Sequence, residues 1–443
     1  MNEKFMNGLL SFAGKMQSNP VLSSIKDSFI DNMPVVIMGA FCTLFQFILS
    51  ATKAQGYDIS LANVPGFGWL ASLWNMWGMM NYGCMNFMAV AIVFLVALHF
   101  AEHLGHTGDR TVASVALASF VTLIDTTKTG TVTTEAGEEV AYSVGGVVAN
   151  TYTNASGLFV ALVVGICATL IYVKLMDSGK LKITLPDSVP PNVAHSFEVL
   201  FPSVITVLVF GILAFCMQNF FHFTFFDLLA KIMAPIQAIM TGLPGYLLVV
   251  LIMMLLWWFG IHGPNVMSAV TTPFMTAAYA ANNEAFAAGA RGSALPNIIC
   301  TPFGSAFFSH TGSGITGGLI IAILLFSKRD DYKAIAKLAI PCGIFNINEP
   351  IIFGIPMVMN PLLGIPFFLA PVCSVIIGYV LTAIGICPRF GIDVPWTTPT
   401  GILGFLASGG NIMGGLCQLL AFASTILIYT PFVIAANNQT AEA

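Results

Sequence analysis

Residues Asn346-Ile347-Asn348-Glu349-Pro350 set one carboxylate and two amides inside apolar sequence. A charged side chain at bilayer depth costs about 2.5–3.5 kcal/mol on insertion scales, so such residues are kept for pathways or sites. A carboxylate with neighbouring amides also supplies the acceptors and donors that a polyhydroxylated ligand needs. The plainer alternatives are a solvated glutamate at the membrane surface or one that caps a neighbouring helix. His262 stands in Trp257-Trp258-Phe259-Gly260-Ile261-His262-Gly263-Pro264-Asn265, where Gly-Pro ends an apolar run and frees main-chain groups. Imidazole donates and accepts at once, which suits hydroxyl recognition or proton relay. A satisfied structural histidine is the alternative, and spacing does not decide whether His262 and Glu349 meet. Trp257, Trp258 and Trp396 offer aromatic faces for sugar rings, against the competing reading of an interfacial belt, to which Trp69, Trp74 and Trp77 are assigned. His99, His103 and His106, with Glu102 between, share a helix face and raise a metal site. The plainer reading there is a helix end beside Asp109 and Arg110. No Walker motif, nucleophile elbow or zinc-protease motif is present.

The elements that must hold these groups follow from composition. Of 443 residues, 57% are hydrophobic and 8% charged, against roughly 25% charged in a soluble domain. That excludes soluble, disordered, collagenous and disulfide-framework classes. A β-barrel would alternate, and runs such as Val35–Leu49 and Leu247–Trp258 do not. The fold class is an all-α polytopic membrane protein. About ten transmembrane helices are expected, since each crossing takes roughly 20 apolar residues. The formal net charge of −4 comes without any basic patch, so nucleic acid is not a partner. The nine cysteines form no C-x-x-C pair and read as small core hydrophobes. Residues 1–28 read as an interfacial amphipathic segment rather than a cleavable leader.

Apolar segments fall near 30–50, 83–101, 111–124, 156–175, 198–219, 245–262, 266–280, 313–327, 365–386 and 414–435. Placing the N-terminus inside puts most lysines and arginines, from Lys4 and Lys26 through Arg110, Lys174 and Lys180 to Lys328 and Lys337, on the cytoplasmic side. The loop with Glu135, Glu138 and Glu139 is then outside and both termini are cytoplasmic. The stretch 176–197, with three prolines and no apolar run, is predicted to link an N-terminal half (1–175) to a C-terminal half (198–443). Residues 222–243 read as a surface-lying hinge helix. Residues 294–312 and 341–361 carry too many breakers for an uninterrupted span. Irregular backbone at membrane depth survives where it is buried or lines a wet cavity, so both read as re-entrant hairpins building a transporter site.

At these motifs the sequence resembles the membrane-embedded IIC component of the bacterial phosphoenolpyruvate-dependent sugar phosphotransferase system, in its lactose, cellobiose and diacetylchitobiose branch. The resemblance runs from FAGKMQSNPVLSSIKDSFIDNMPVVIMGAF through Gly-Ile-His-Gly-Pro-Asn and Asn-Glu-Pro-Ile-Ile-Phe-Gly-Ile-Pro to Pro-Trp-Thr-Thr-Pro. It implies a homodimer of ten-helix protomers in the bacterial cytoplasmic membrane. The N-terminal half would carry the dimer interface, and the C-terminal half would bind a β-linked disaccharide and move across the membrane as an elevator. The family's histidine and glutamate fall on His262 and Glu349, with Asn265, Asn346, Asn348 and the rings of Trp257 or Trp396 completing the pocket. The resemblance implies a separate phosphocysteine-bearing IIB protein as donor, fed by an upstream IIA protein, since no IIB portion is expected in the short tail at Gln439–Ala443. No cofactor or metal is implied. Competing readings are a proton- or sodium-coupled secondary transporter using Glu349 and His262, and a membrane transferase or hydrolase pairing Glu349 with Asp393.

Overall fold

The computed structural model describes residues 11, 14–16, 18–53, 60–133, 139–181, 183, 185–186, 189–355 and 357–437. Residues 1–10, 12, 13 and 17 of the amphipathic segment expected over 1–28, and the tail at 439–443, lie outside them. Asn19 opens α1 (Pro20–Leu49): its side-chain oxygen accepts from the N–H groups of Val21 and Leu22 at 3.0 and 3.1 Å. Pro20 takes the first helical position, where a missing N–H is harmless. There follow α2 (Trp74–Met85), α3 (Met88–His103), α4 (Thr111–Thr122) and an antiparallel hairpin of β1 (Lys128–Thr133) and β2 (Glu139–Val144). Next come α5 (Leu158–Asp177), α6 (Pro191–Glu198), α7 (Leu200–Cys216), α8 (Phe225–Thr241), α9 (Leu243–Trp258) and α10 (Gly263–Ala287). The chain continues through α11 (Thr301–Phe307), α12 (Thr316–Phe326), α13 (Asp330–Ile344) and α14 (Glu349–Gly354). It closes with α15 (Pro361–Ala383), α16 (Ile402–Ala407) and α17 (Ile412–Ala436).

Each expected apolar segment carries a helix, but the helices are unequal. Among the described residues six are long and apolar enough to cross a membrane, or seven if the bent pair α8–α9 forms one span. The helices α4 and α12 have 12 and 11 residues; at 1.5 Å per residue neither spans a core of about 30 Å. With 25 residues α10 is long enough, yet it carries Asn265, Asn282, Asn283 and Glu284. The α8–α9 bend of 68° falls at Gly242-Leu243-Pro244-Gly245. A Cβ on Gly245 would lie 2.0 Å from the Ile239 carbonyl oxygen, so only glycine lets the chain turn that tightly.

The two proline-rich stretches break as expected, with one shift. Pro341 is accommodated inside α13, which ends only at Ile344. Its stop is Asn346, in the left-handed region at φ 65°. The Ile347 N–H returns to the Cys342 carbonyl at 3.0 Å and the Asn346 N–H to the Gly343 carbonyl at 3.1 Å, a Schellman closure. Between α11 and α12 the loop Ser309–Ile315 is almost wholly buried. It has positive φ at Thr311, Gly312, Gly314 and Ile315.

By its internal packing the chain forms two compact units. One comprises 18–34 and 83–236; the other gathers 35–82 and 237 onward. In the first, α7 packs against α4 and α5, around a core of Ala101, Val112, Val115, Tyr172, Val173 and Val199. The stretch 176–197, predicted as the link between halves, lies within this unit because α7 folds back onto it. The chain leaves the unit inside α8, just after Pro235, within the predicted hinge helix. The first turns of α1 belong here through His99–Asp31 (2.8 Å) and His103–Asp27 (3.5 Å).

In the second unit α15 packs on α9 and α17, and α12 on α17. The α12–α17 approach depends on Gly318, whose Cβ would stand 2.3 Å from Thr425 Oγ1. A lattice of buried asparagines ties the remaining elements. Asn81 donates to the Gly39 carbonyl (2.9 Å) and to Asn283 Oδ1 (3.3 Å), and Asn283 donates to the Gly391 carbonyl (2.9 Å). Asn282 donates to the Phe390 carbonyl (2.8 Å) and accepts from the Asn297 N–H (2.8 Å). Buried amides of this kind hold irregular backbone only because their donors and acceptors are matched. They explain why the later part of α1 belongs to this unit.

Candidate functional site

The site is assembled within the second unit, where α9 ends and α10 begins. Gly260, at φ 80°, turns the chain after α9. Gly263 must be glycine, since a Cβ there would meet the Met253 carbonyl oxygen at 1.9 Å. This turn presents His262 as the N-cap of α10, with Nδ1 accepting from the Asn265 N–H at 3.2 Å. An imidazole that accepts at Nδ1 carries its proton on Nε2 when neutral, so the ring's remaining function is donation. The Trp257 ring lies 4.6 Å from the imidazole at 51°. Trp257 is buried, 3% exposed. The ring anchors His262 and has little face left for a ligand.

α14 brings the carboxylate to this group. Glu349 is its first residue and is exposed, and its charge acts on the His262 imidazole. Phe353, one turn further along α14, stands 6.4 Å from the Trp257 ring. A donor on His262 and an acceptor on Glu349 therefore share one region, the pairing a hydroxyl group needs in order to accept and donate together. Asn265 is exposed beside them; its own N–H is the one held by His262.

The other candidates fall into a second, adjoining group. Asn346 is buried, with Oδ1 accepting from the Thr311 N–H at 2.6 Å and Nδ2 donating to the carbonyls of Trp396 (2.5 Å) and Thr398 (2.8 Å). Asn348 is buried too and donates to the Ser313 carbonyl at 2.6 Å. Trp396 is the exposed ring of the set, at 50%. Trp258 leaves the site altogether. Its Nε1 donates to the Asn360 carbonyl at 3.2 Å, its carbonyl accepts from the Met359 N–H at 2.9 Å, and Gly364 lies under the indole. It staples α9 to the start of α15.

Two contributors escaped the sequence reading. Phe353 packs on Trp257, a partnership implied only by its four-residue offset from Glu349. Tyr429 on α17 donates to the Gly314 carbonyl at 2.7 Å, steadying the loop that Asn346 and Asn348 also hold. A hydroxyl midway along an apolar helix was its one signal. The histidine cluster resolves into separate pairs: His99 with Asp31, His103 with Asp27 and His106 with Asp177 (2.9 Å). No group of three or more ligands among the described residues is arranged to hold a metal. Asp393 is buried against α10 and the 295–300 loop, close enough for its charge to bear on Tyr279 and Cys300.

Comparison with known proteins bears on the whole arrangement. The family Phosphotransferase system, EIIC matches residues 26–371. The cellobiose-specific EIIC component of Geobacillus stearothermophilus is 32% identical over 435 residues, covering 98% of this chain and 93% of that protein. The oligo-beta-mannoside-specific EIIC component of Bacillus subtilis (strain 168) is 30% identical over 442 residues, covering 99% and 94%. Among solved structures, the transporter ChbC, the IIC component of the N,N'-diacetylchitobiose-specific phosphotransferase system, superposes with a TM-score of 0.86. It is 31% identical and covers 97% of this chain and 96% of that one. This helical membrane protein therefore belongs to the EIIC family of the phosphotransferase system.

Proposed function

We propose that the chain is a sugar permease that binds a β-linked disaccharide of the cellobiose, diacetylchitobiose or lactose type and carries it inward while it is phosphorylated. The observation behind this reading is a histidine donor and an exposed glutamate acceptor in one region, with the exposed Trp396 on a turn held by Asn346, three residues before that glutamate. Such a set suits a sugar, with hydroxyls for the polar pair and an apolar ring face for the indole. The names of the cellobiose-specific and diacetylchitobiose-specific relatives support the choice of sugar class.

In this reading the chain lies in the bacterial cytoplasmic membrane as a homodimer with both termini inside. The stretches around 294–312 and 341–361 act as re-entrant hairpins. Sugar enters from outside and is held by His262, Glu349 and neighbouring groups. The sugar-binding part then moves inward as an elevator, flexing where the chain passes between the units, within α8. A separate IIB protein, recharged by IIA, brings phosphate on a cysteine. The S–P bond breaks as an O–P bond forms to a sugar hydroxyl, the 6-hydroxyl in this reading, and the hydroxyl proton passes to the Glu349 carboxylate. The added charge prevents return, so phosphorylation supplies the direction.

The test is uptake into proteoliposomes holding the purified chain, with cellobiose, diacetylchitobiose and lactose offered separately. Sugar phosphate is expected to accumulate only when the phosphorylated soluble donors are enclosed. Uptake that ignores the donors but follows an imposed proton or sodium gradient would sink the proposal.

A further inference from the structure

We propose that Asn346 is a positioning residue: through the main chain of Trp396 and Thr398 it sets where the exposed indole stands relative to Glu349, and it does not itself hold sugar. The inference rests on the permease reading above and departs from the role that family resemblance implies for this amide. Three features carry it. First, both N–H bonds of the side chain are committed, to the Trp396 and Thr398 carbonyls, while Oδ1 takes the Thr311 N–H. The amide is 4% exposed, so a ligand finds no donor there. Second, the two carbonyls it grips belong to one turn, closed by the Thr398 N–H on the Pro395 carbonyl at 2.8 Å. Holding the turn at two points fixes the backbone of Trp396 and leaves its ring exposed. Third, Asn346 sits three residues before Glu349, and Asn348 pins the intervening chain to Ser313. One side chain thus connects the carboxylate, the Ser309–Ile315 loop and the stacking ring.

The residue type fits the task. The position ends α13 in the left-handed region, which asparagine tolerates better than most side chains. Aspartate keeps the acceptor for Thr311 but sets oxygen against both carbonyls. Glutamine keeps all three bonding groups and places them one methylene too far out.

The decisive experiment is a double-mutant cycle on the full chain in lipid nanodiscs, reading cellobiose affinity by calorimetry. Asn346→Asp and Trp396→Leu are each expected to weaken binding about tenfold, and the double variant to bind no worse than Trp396→Leu alone, because neighbours acting through one contact are not additive. Losses that multiply to about a hundredfold would show that Asn346 meets the sugar directly. An Asn346→Asp variant with unchanged affinity would equally overturn the proposal. If Asn346→Asp does not fold, Asn346→Gln enters the same cycle with the same two outcomes. A sugar-free readout separates this inference from the permease reading. Amide exchange over residues 393–400 is expected to quicken in Asn346→Asp, and unchanged exchange would defeat the clamp. Absence of any sugar binding by the unaltered chain would instead defeat the permease reading.

Discussion

At the scale of single residues, the site works by assigning complementary roles. Capping of α10 uses Nδ1 of His262, which orients the Nε2–H, and Trp257 packs against the ring to hold it there. Glu349 supplies the acceptor. Replacing it by glutamine keeps the shape and part of the hydrogen bonding but removes the base. Glu349→Gln is therefore expected to retain partial sugar binding while phosphorylation falls by about 10²-fold or more. Parallel binding and sugar-phosphate assays measure the two, and phosphorylation at the unaltered rate would refute the glutamate's proposed role. His262→Phe preserves the packing on Trp257 and removes the donor. It is expected to weaken binding about tenfold, with roughly 1 kcal/mol lost from the helix cap. Titration calorimetry and thermal unfolding of the same variant check the two effects.

At the scale of elements, the second unit depends on close approaches that tolerate no extra atom. Gly318 of α12 faces Thr425 of α17, with the Thr425 carbonyl carbon 3.0 Å from where a Cβ would stand. Gly318→Ala is expected to destabilise by about 1–3 kcal/mol through overpacking. Thr425→Ala in the same chain is expected to recover only part of the loss, because the backbone contact remains. Thermal unfolding in detergent reads both. Tyr429→Phe leaves the Gly314 carbonyl buried without its donor, a cost of about 1–3 kcal/mol. Because that loop is also held by Asn346 and Asn348, the same variant is expected to weaken sugar binding, which calorimetry would detect. A Tyr429→Phe chain that melts and binds like the original would show that the loop stands without this bond.

At the scale of the whole molecule, the division into units coincides with weak points in its helices. The chain passes between units after Pro34 inside α1, between Tyr82 and Gly83 inside α2, and just after Pro235 inside α8. A proline inside a helix removes a hydrogen bond and crowds the preceding turn, so these are places where a helix bends at little cost. If the proposed elevator operates, Pro34→Ala combined with Pro235→Ala is expected to slow sugar-phosphate accumulation severalfold with little change in affinity. Proteoliposome uptake and calorimetry separate the rate from the binding. An unchanged rate would remove these prolines from the transport cycle.

Composition and pattern determined much of this protein in advance. A chain so poor in charge and so rich in long apolar runs is a helical membrane protein, because lipid leaves backbone polar groups only helices or closed barrels and these runs do not alternate as barrel strands do. The Asn-Glu-Pro and Gly-Ile-His-Gly-Pro-Asn motifs marked themselves as polar groups kept at breaks in apolar sequence. What the pattern lacked was long-range partnership. Trp257 and Trp258 are adjacent and alike in sequence, yet one braces His262 and the other staples α15, a distinction made by the turn at Gly260. Asn346 read as one more pocket amide until its three main-chain partners, 35 to 52 residues away in sequence, took up its hydrogen bonds. The expected boundary at 176–197 followed from prolines and lost apolarity, which register a loop but not where the next helix packs. Local chemistry is written residue by residue, whereas packing depends on what lies opposite, and only the tertiary structure decides that.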